Sequence, residues 1–244
     1  MTAFLYKFFH NETNDRTEKG SVVVPEDKNL WPISWKTVFY KEYLNFKSIS
    51  LPHVKGVLLE SFLNERTSKK EELAFPQVTF EAIAYILQCG YGLQTKDVAR
   101  KEHRTVPSAG GRYPLEIYVI VVKATKDLSS GVYHYNVRTH MLEPVFYREF
   151  SQDGITKMSS SSILLETSYI ICITSVFHRT TEKYGSRGYR YILLEAGHVA
   201  QNMLLAGFEK KTVGIPLGGI NDVEVEKVLG LTSQEERLVY VLCF

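Results

Sequence analysis

Apolar residues recur at helical spacing in several parts of the chain and predict helices there. The spacing covers residues 57–64, 75–92, 187–207 and 222–229. Thr79 suits the N-cap of the second of these helices, and Gly90 and Gly92 suit its end. A short helix is also expected within residues 31–46. The longest predicted helix is 187–207, whose apolar face is formed by Tyr191, Leu194, Ala196, Val199, Met203 and Leu204.

Other segments are apolar over most of their length and predict strands. Residues 115–122 and 168–176 are rich in β-branched side chains and suit strands that are covered on both faces. Residues 131–136 and 141–145 suit a hairpin around a polar turn, and residues 237–244 suit a last strand. This order of elements indicates an α+β fold with a central mixed or antiparallel sheet flanked by helices.

Size and composition are those of an ordinary globular protein. The chain has 244 residues, of which 44% are hydrophobic and 23% are charged, and this length is enough for one large domain. Residues 1–55 combine aromatic residues, prolines and polar turns, and we expect them to form an N-terminal extension that packs on the core or on a second subunit. Residues 56–244 are expected to form the main domain.

Charge and cysteine content narrow the classes of function. The net charge is +2 and the basic residues are scattered, so the sequence does not indicate nucleic-acid binding. No apolar run reaches the roughly 18 residues of a membrane span, and no signal peptide is expected. The cysteines Cys89, Cys172 and Cys243 form no C-x-x-C pair, which favours buried thiols in a reducing cytoplasm over disulfides or a metal site.

A turn rich in small residues, 104–114, precedes the first long strand. Ala109, Gly110 and Gly111 remove side-chain bulk, so a flat ligand could approach the backbone closely. Ser108 adds a hydroxyl group, and Arg104 and Arg112 add positive charge at the two ends. These features suit an anionic, planar cofactor, although composition alone fits an ordinary surface loop equally well.

Two further segments could bind a ligand. Arg66, Ser68 and Lys70 place cations around a hydroxyl after the first predicted helix, which suits a phosphate group, although spacing alone favours a solvated, charged turn. Near the last helix, Gly218 and Gly219 follow a proline and a leucine and can present bare backbone N–H groups.

The candidate catalytic residues are Lys183 and Tyr184, two adjacent residues whose side chains can exchange protons. Both groups hold their protons near neutral pH, with ordinary pKa values of about 10. Partial burial of the lysine, or a cation such as Arg187, would lower the pKa and allow one of them to act as a base. Spacing alone also fits a surface turn. His198 invites a catalytic role, but a histidine inside a tightly packed helix is more often a hydrogen-bonded core residue.

Four strings, in this order along the chain, resemble one protein family. They are R-x-S-x-K at 66–70, P-S-A-G-G-R-Y-P at 107–114, K-Y-G-x-R-x-Y-R-Y at 183–191 and E-A-G-H-V-A-Q-N at 195–202. Together they resemble the SagB-type, or thiazole/oxazole-forming, dehydrogenases, a branch of the FMN-dependent nitroreductase family. The resemblance begins near residue 57 and implies the nitroreductase fold, as a homodimer with two FMN sites at its interface.

The resemblance also implies roles for individual residues. The glycine-rich turn would run under the flavin ring, the R-x-S-x-K string would hold the FMN phosphate, and the glycine pair would point backbone amides at the flavin N5. The implied catalytic pair is Lys183 and Tyr184. The implied cofactor-binding residues are Arg66, Ser68, Lys70, Arg104, Pro107, Ser108, Ala109, Gly110, Asn202, Pro216, Leu217, Gly218 and Gly219.

The implied reaction converts peptide thiazolines or oxazolines to thiazoles or oxazoles during biosynthesis of a modified peptide. The proton next to the carbonyl group goes to a base, for which Lys183 and Tyr184 are the candidates. The neighbouring carbon gives a hydride to FMN, which molecular oxygen then reoxidises. The implied partners are an azoline-containing precursor peptide and a cyclodehydratase complex, and a related oxidase of nonribosomal peptide assembly fits the same resemblance.

Two other functions stay open at this point. One is an NAD(P)H-dependent nitroreductase or flavin reductase, against which the Lys-Tyr pair speaks. The other is a non-catalytic scaffold subunit of a peptide-modifying complex, against which the intact set of FMN residues speaks. One departure from the family concerns the phosphate site: nitroreductases usually add basic residues near the C-terminus, and here Lys227 or Arg237 would have to serve.

Overall fold

A seven-stranded sheet built from the described residues is the centre of the fold. The structure is a computed structural model and describes residues 27–43, 45–52, 63, 65, 66, 68, 78–94, 103–159, 161–233 and 235–244. Its strands are β1 Ile49–Ser50, β2 Leu115–Val121, β3 Gly131–Asn136, β4 Met141–Tyr147, β5 Tyr169–Val176, β6 Ile215–Leu217 and β7 Glu236–Cys243. Their spatial order is β1-β4-β3-β2-β5-β7-β6, and neighbouring strands are antiparallel.

Helices cover both faces of this sheet. They are α1 Ile33–Lys36, α2 Phe80–Tyr91, α3 Gln152–Met158, α4 Ile163–Glu166, α5 His178–Tyr184, α6 Arg187–Glu209 and α7 Asp222–Leu229. Side chains of α2 and α6 form a core with one face of the sheet, and side chains of α3, α4 and α7 form a second core with the other face. This arrangement confirms the predicted α+β fold.

The two central strands determine which loops meet. All residues of β2 are buried, because successive side chains enter the two cores in turn. β2 pairs with β5 in antiparallel register, and Leu115 at the start of β2 lies opposite Ser175 near the end of β5. The turn that leads into β2 and the helix that follows β5 therefore lie side by side, where these two central strands end.

Most predicted elements are present, with shifted ends. α2 begins at Phe80 because Thr79 caps it, with its hydroxyl accepting a hydrogen bond from the Ala82 N–H at 3.1 Å. α6 continues to Glu209, and α7 matches the prediction. Of the helix predicted over 57–64, Leu63 is described and is helical, and the rest lies outside the described residues.

The short helix expected within residues 31–46 is present as α1, and residues 37–43 beyond it are not helical. One sequence expectation is wrong in detail. Leu194 was expected on the apolar, core-facing side of α6, but its side chain is 60% exposed. The buried side of this helix is instead formed by Gly188, Ile192, Glu195, Ala196, Val199, Ala200, Met203, Leu204, Ala206 and Gly207.

Buried ion pairs attach the start of α5 to the sheet. The Arg179 guanidinium donates to the Glu116 carboxylate at 2.5 Å, and His134 lies between Glu116 and Glu143 at 2.9 and 3.3 Å. Burial opposes the charge of Glu116, but the hydrogen bond from His134 and the charges of His134 and Arg179 lower its pKa below the ordinary value. Since breaking a buried charge pair is costly, this cluster fixes where α5 begins.

The N-terminal arm, here residues 27–43, lies against the main body of the protein. The Lys41 ammonium binds the Glu236 carboxylate at 2.6 Å, and the Tyr43 N–H donates to the Glu143 carboxylate at 2.7 Å. Farther along, β1 pairs with β4 at the edge of the sheet. The arm is therefore anchored to β4 and β7 of the sheet.

The three cysteines are free thiols. Cys172 and Cys243 are buried, as expected, whereas Cys89 is only partly buried. Burial raises the pKa of the Cys243 thiol to about 12. Within the described ranges, we find no helix that is both long and apolar enough to cross a membrane.

Candidate active site

A tight corner between α5 and α6 orients Lys183 and Tyr184. α5 ends at Gly185, which has a φ of 56° and donates its N–H to the Thr181 carbonyl at 2.8 Å. α6 starts two residues later, and Gly188 packs so closely that an added Cβ would lie 3.0 Å from the Thr181 Cα. In this corner Lys183 points inward, with 1% of its surface exposed, and Tyr184 is half-buried.

The glycine-rich turn lies directly against this pair of side chains. Gly110 has a φ of 62°, and a Cβ added there would lie 2.5 Å from the Tyr184 hydroxyl and 3.0 Å from the Lys183 Nζ. No side chain fits at that distance, so only glycine permits the approach. The structure thus joins two motifs that the sequence analysis singled out separately.

Tyr184 is held in its protonated form. Burial raises the pKa of its hydroxyl, the neighbouring Tyr191 raises it further, and the charge of Arg112 opposes the shift without reversing it. The cation that the sequence suggested for this role, Arg187, instead donates to the Tyr191 hydroxyl at 2.8 Å. Tyr184 is therefore equipped to donate a hydrogen bond or a proton near neutral pH, and not to act as a base.

A buried carboxyl group beneath the turn, on Glu195, holds the turn in shape. The Tyr91 hydroxyl donates to Glu195 at 2.8 Å, and the Ser108 hydroxyl makes a second hydrogen bond to the same carboxyl. The Ser108 oxygen in turn accepts the Tyr113 N–H at 2.8 Å. Burial raises the pKa of Glu195 to about 7, against the opposing effect of these two hydrogen bonds and of Arg104. The carboxyl group therefore changes charge near neutral pH.

Arg104 is a buried cation with unused hydrogen-bond donors. Its side chain is 2% exposed, and its guanidinium lies 4.1 Å from the ring centre of Tyr91 and 4.9 Å from that of Tyr113. Its Nε and Nη1 have no hydrogen-bond partner among the described residues. A buried donor without an acceptor is costly, so this position fits an acceptor carried by a bound, electron-rich molecule such as FMN.

Arg112, at the other end of the turn, binds the N-terminal arm. Its Nε donates to the Arg179 carbonyl at 2.6 Å, and its Nη1 donates to the carbonyls of Ser34 and Thr37. Glu182, which lies 3.7 Å from the Arg112 Nη2, also accepts the Ser34 hydroxyl at 2.6 Å. These bonds hold the arm beside Lys183 and Tyr184.

The remaining predicted cofactor residues lie in three places. Arg66 donates to the Ser68 hydroxyl at 2.9 Å, so these two side chains adjoin, while Lys70 lies outside the described residues. Asn202 donates to the Cys89 carbonyl at 3.4 Å and so links α6 to α2. The third place follows β6, at the edge of the sheet, and contains Pro216, Leu217, Gly218 and Gly219.

The glycine pair after β6 is open to a ligand. Both glycines are exposed, and a Cβ added at Gly218 would meet no atom within 4 Å among the described residues. The Gly219 carbonyl accepts the Ser159 hydroxyl at 2.7 Å, which fixes the loop. By contrast, the two C-terminal cations bind carboxylates nearby: Arg237 binds Glu226, and Lys227 binds Glu224.

His198 does not have the buried, hydrogen-bonded role expected for it. Its side chain is exposed on α6, next to Gly197, where an added Cβ would also meet no described atom within 4 Å. Leu193 and Leu194 are 41% and 60% exposed on the same helix. One side of α6 thus presents apolar residues and a glycine to its surroundings.

Comparison with known families decides the assignment. The sequence profile of the nitroreductase family matches residues 63–244, which is more than half of the chain. The chain belongs to the nitroreductase family. Members of this family bind flavin and are oxidoreductases. The residues before 63, including the described part of the arm, lie outside the family match.

Similar proteins include peptide-processing proteins. MJ1384 of Methanocaldococcus jannaschii, a protein assigned as a nitroreductase, is 32% identical over 74% of this chain and 88% of its own length. The trifolitoxin-processing protein TfxB of Rhizobium leguminosarum is 32% identical over 54% of this chain. The microcin B17-processing protein McbC of Escherichia coli is 30% identical over 54% of this chain. The matches span only 37% of TfxB and 50% of McbC.

Solved structures share the fold. A protein of Anabaena variabilis assigned as a nitroreductase has a TM-score of 0.70 at 26% identity, covering 97% of this chain and 45% of its own. The E. coli microcin synthetase McbBCD complex, with truncated pro-MccB17 bound, contains a chain with a TM-score of 0.61 at 21% identity, covering 99% of this chain and 91% of its own. This second likeness supports the fold alone.

Sequence reasoning missed three residues that shape the site: Glu195, Tyr91 and Trp31. Glu195 was part of a matched string but was given no role, although a carboxyl group on the same helix face as Val199 and Ala196 is a detectable signal of a buried polar network. Tyr91 lies in the predicted helix 75–92 and was given no role. Trp31 belongs to the arm, whose docking position cannot be read from local patterns.

We expect Gly110→Ala to lose more stability than Gly111→Ala. Both glycines have positive φ, 62° and 63°, so both substitutions carry the same backbone penalty of roughly 1–2 kcal/mol. Only Gly110 also faces Tyr184 and Lys183, since an added Cβ at Gly111 meets no described atom within 4 Å. Urea unfolding should show Gly110→Ala at least about 1 kcal/mol less stable than Gly111→Ala. Equal stabilities would contradict the contact.

We expect Glu195→Gln to change how stability depends on pH. Because the folded-state pKa is raised from 4.5 to about 7, this group makes the wild-type protein less stable as pH rises from about 4.5 to about 7. Glutamine cannot ionise, so the variant should lose that part of the slope. The measurement is urea unfolding at several pH values, with Glu209→Gln as the control. Glu209 lies on the same helix as Glu195 and also accepts a hydrogen bond from a tyrosine hydroxyl, that of Tyr85 on α2. If the stability of wild type and of Glu195→Gln changed with pH in the same way, burial would not raise the pKa of this carboxyl group.

Proposed function

We propose that the protein is an FMN-dependent dehydrogenase that oxidises thiazoline or oxazoline rings of a peptide to thiazoles or oxazoles. One observation carries the proposal: a Cβ added at Gly110 would lie 2.5 Å from the Tyr184 hydroxyl and 3.0 Å from the Lys183 Nζ, so the turn lies close against both side chains. A turn suited to a flat cofactor thus adjoins the two side chains best able to exchange protons. The names of TfxB and McbC, which are peptide-processing proteins, support the same class of substrate.

The residues proposed to hold FMN have matching chemistry. Arg104 offers two buried donors that have no acceptor among the described residues, and the turn 107–110 offers a surface bare of long side chains. Arg66 and Ser68, together with Lys70, are assigned to the phosphate group. Gly218 and Gly219 are assigned to the flavin ring through their backbone N–H groups. Pro216, Leu217 and Asn202 complete the proposed set.

The proposed chemistry divides the loss of two hydrogens between protein and cofactor. The C–H next to the substrate carbonyl is acidic, and its proton goes to the Lys183 side-chain nitrogen. Tyr184, which keeps its own proton, donates a hydrogen bond that orients the substrate ring or the lysine. When bound, FMN supplies the acceptor for the hydride from the neighbouring ring carbon. The product ring is aromatic, which favours the forward direction.

We further propose a homodimer that works with a cyclodehydratase. The exposed Leu193 and Leu194 and the open surface at Gly197 give α6 a face suited to a second copy of the chain. The cyclodehydratase is proposed because the sequence resembles SagB-type dehydrogenases and because the E. coli relative McbC is named for microcin B17 processing. The precursor peptide is the proposed substrate.

An NAD(P)H-dependent reductase is the second candidate, and one finding favours it. MJ1384, which is assigned as a nitroreductase, matches this chain over 88% of its own length, far more than either peptide-processing relative does. This function would use the same flavin site but would not require Lys183 or Tyr184 as proton-exchanging groups. The two functions therefore differ in their dependence on this pair.

We expect Lys183→Met to lower azoline oxidation by about 10²–10⁴-fold, as is typical when a group that transfers protons is removed. Tyr184→Phe should lower it less, because Tyr184 donates a hydrogen bond and keeps its own proton. The assay follows conversion of an azoline peptide to the azole by mass spectrometry, under air, with FMN-loaded protein. Lys157→Met is the matched control, because Lys157 is an exposed lysine on α3. Flavin content should stay the same in all variants. Turnover within a few-fold of wild type in Lys183→Met would exclude the role given to that residue.

A further inference from the structure

The Lys183 ammonium is enclosed on several sides. Its Nζ lies 3.0 Å from the ring centre of Trp31, 5.4 Å from that of Tyr184 and 5.9 Å from that of Trp35. Gly110 closes a further side. With 1% of its surface exposed, Lys183 cannot touch a substrate in this arrangement. A group that takes a proton from a substrate must come within hydrogen-bond distance of it, so one of these walls has to move.

The wall formed by Trp31 belongs to the arm and lies at the protein surface. Gly110 lies in a turn held by Ser108, Tyr113 and Glu195, and Tyr184 lies on the same helix as Lys183. Trp31, by contrast, is partly exposed and comes from the arm, and its neighbours Leu30 and Ile33 are 70% and 83% exposed. The helix that follows Trp31 has only four residues.

The indole ring of Trp31 also resembles the ring of the proposed substrate in shape. It is flat and aromatic, and its face attracts the ammonium group. An azoline or azole ring is flat as well and could take the same position against the lysine. Interactions between a cation and an aromatic ring correspond to about 2–30-fold in an equilibrium constant, so a substrate peptide with further contacts could displace the indole.

We propose that the indole of Trp31 occupies the place that the substrate ring takes against Lys183, so that the arm and the substrate bind there in competition. This inference rests on the proposed function, because it names a subsite of the same active site. It adds a specificity-determining residue from a part of the chain that lies before the family match, which begins at residue 63.

The two tryptophans of the chain allow a direct test. They are Trp31 and Trp35, so Trp35→Phe leaves the emission of Trp31 alone. The probe is a synthetic peptide that contains a thiazole ring, which is a product and is not turned over. In FMN-loaded Trp35→Phe protein, we expect the peptide to shift Trp31 emission to longer wavelength and to increase its quenching by acrylamide. Lys183→Met in the same background should increase quenching without peptide.

Binding affinity supplies the second readout. We expect Trp31→Ala to bind the thiazole peptide about 2–30-fold more tightly than wild type, with Trp31→Phe lying between the two. Weaker binding in Trp31→Ala, or Trp31 emission that the bound peptide leaves unchanged, would overturn the proposal, because Trp31 would then be a fixed wall of the site. If wild type oxidises azolines under that outcome, the proposed function stands without this inference. If wild type neither binds the thiazole peptide nor oxidises azolines, both are wrong.

Discussion

The candidate active site depends on the close approach of one backbone position to two side chains. Gly110 lies where any Cβ would overlap the Tyr184 hydroxyl and press on the Lys183 ammonium. This contact sets the position of the glycine-rich turn relative to the proton-exchanging pair. Whatever flat molecule binds on the turn will therefore lie close to Lys183 and Tyr184, and this proximity is what makes chemistry between them feasible.

Several separate features of the fold support that contact. The antiparallel register of β2 and β5 brings the turn and α5 side by side, where these two central strands end. The Arg179–Glu116 pair fixes the start of α5, and the Gly185–Gly188 corner fixes its end. Under the turn, Glu195 binds Ser108 and Tyr91. Substitutions in this support can thus alter the site without touching a ligand, in the way that residues behind a binding site commonly do.

Local patterns were sufficient for much of the fold. Uninterrupted apolar runs identified β2 and β5, the cap at Thr79 identified α2, and the period of apolar residues identified α6 and α7. These features depend on neighbours in the chain, which a sequence displays directly. The ends of α6 and the length of α1 depend on packing, and so they were predicted less well.

The geometry of the site could be predicted only in part. The motifs around Gly110 and Lys183 were both found, and the resemblance to SagB-type dehydrogenases assigned them to one site, but their contact depends on strand register. The roles of Arg112 and Arg187 were misjudged because a charged side chain reveals its partner only in three dimensions: Arg112 binds the arm and Arg187 binds Tyr191. The position of Trp31 over Lys183 is likewise a long-range contact.

The central claim is that a peptide azoline, and not a nicotinamide, is the reductant of the flavin. Its most direct test is an anaerobic titration of the FMN-loaded protein, in which the flavin absorbance is followed after addition of an azoline peptide or of NADPH. Our account predicts bleaching by the azoline peptide alone, with the azole peptide formed in equal amount. Bleaching by NADPH alone would contradict it and would favour a reductase.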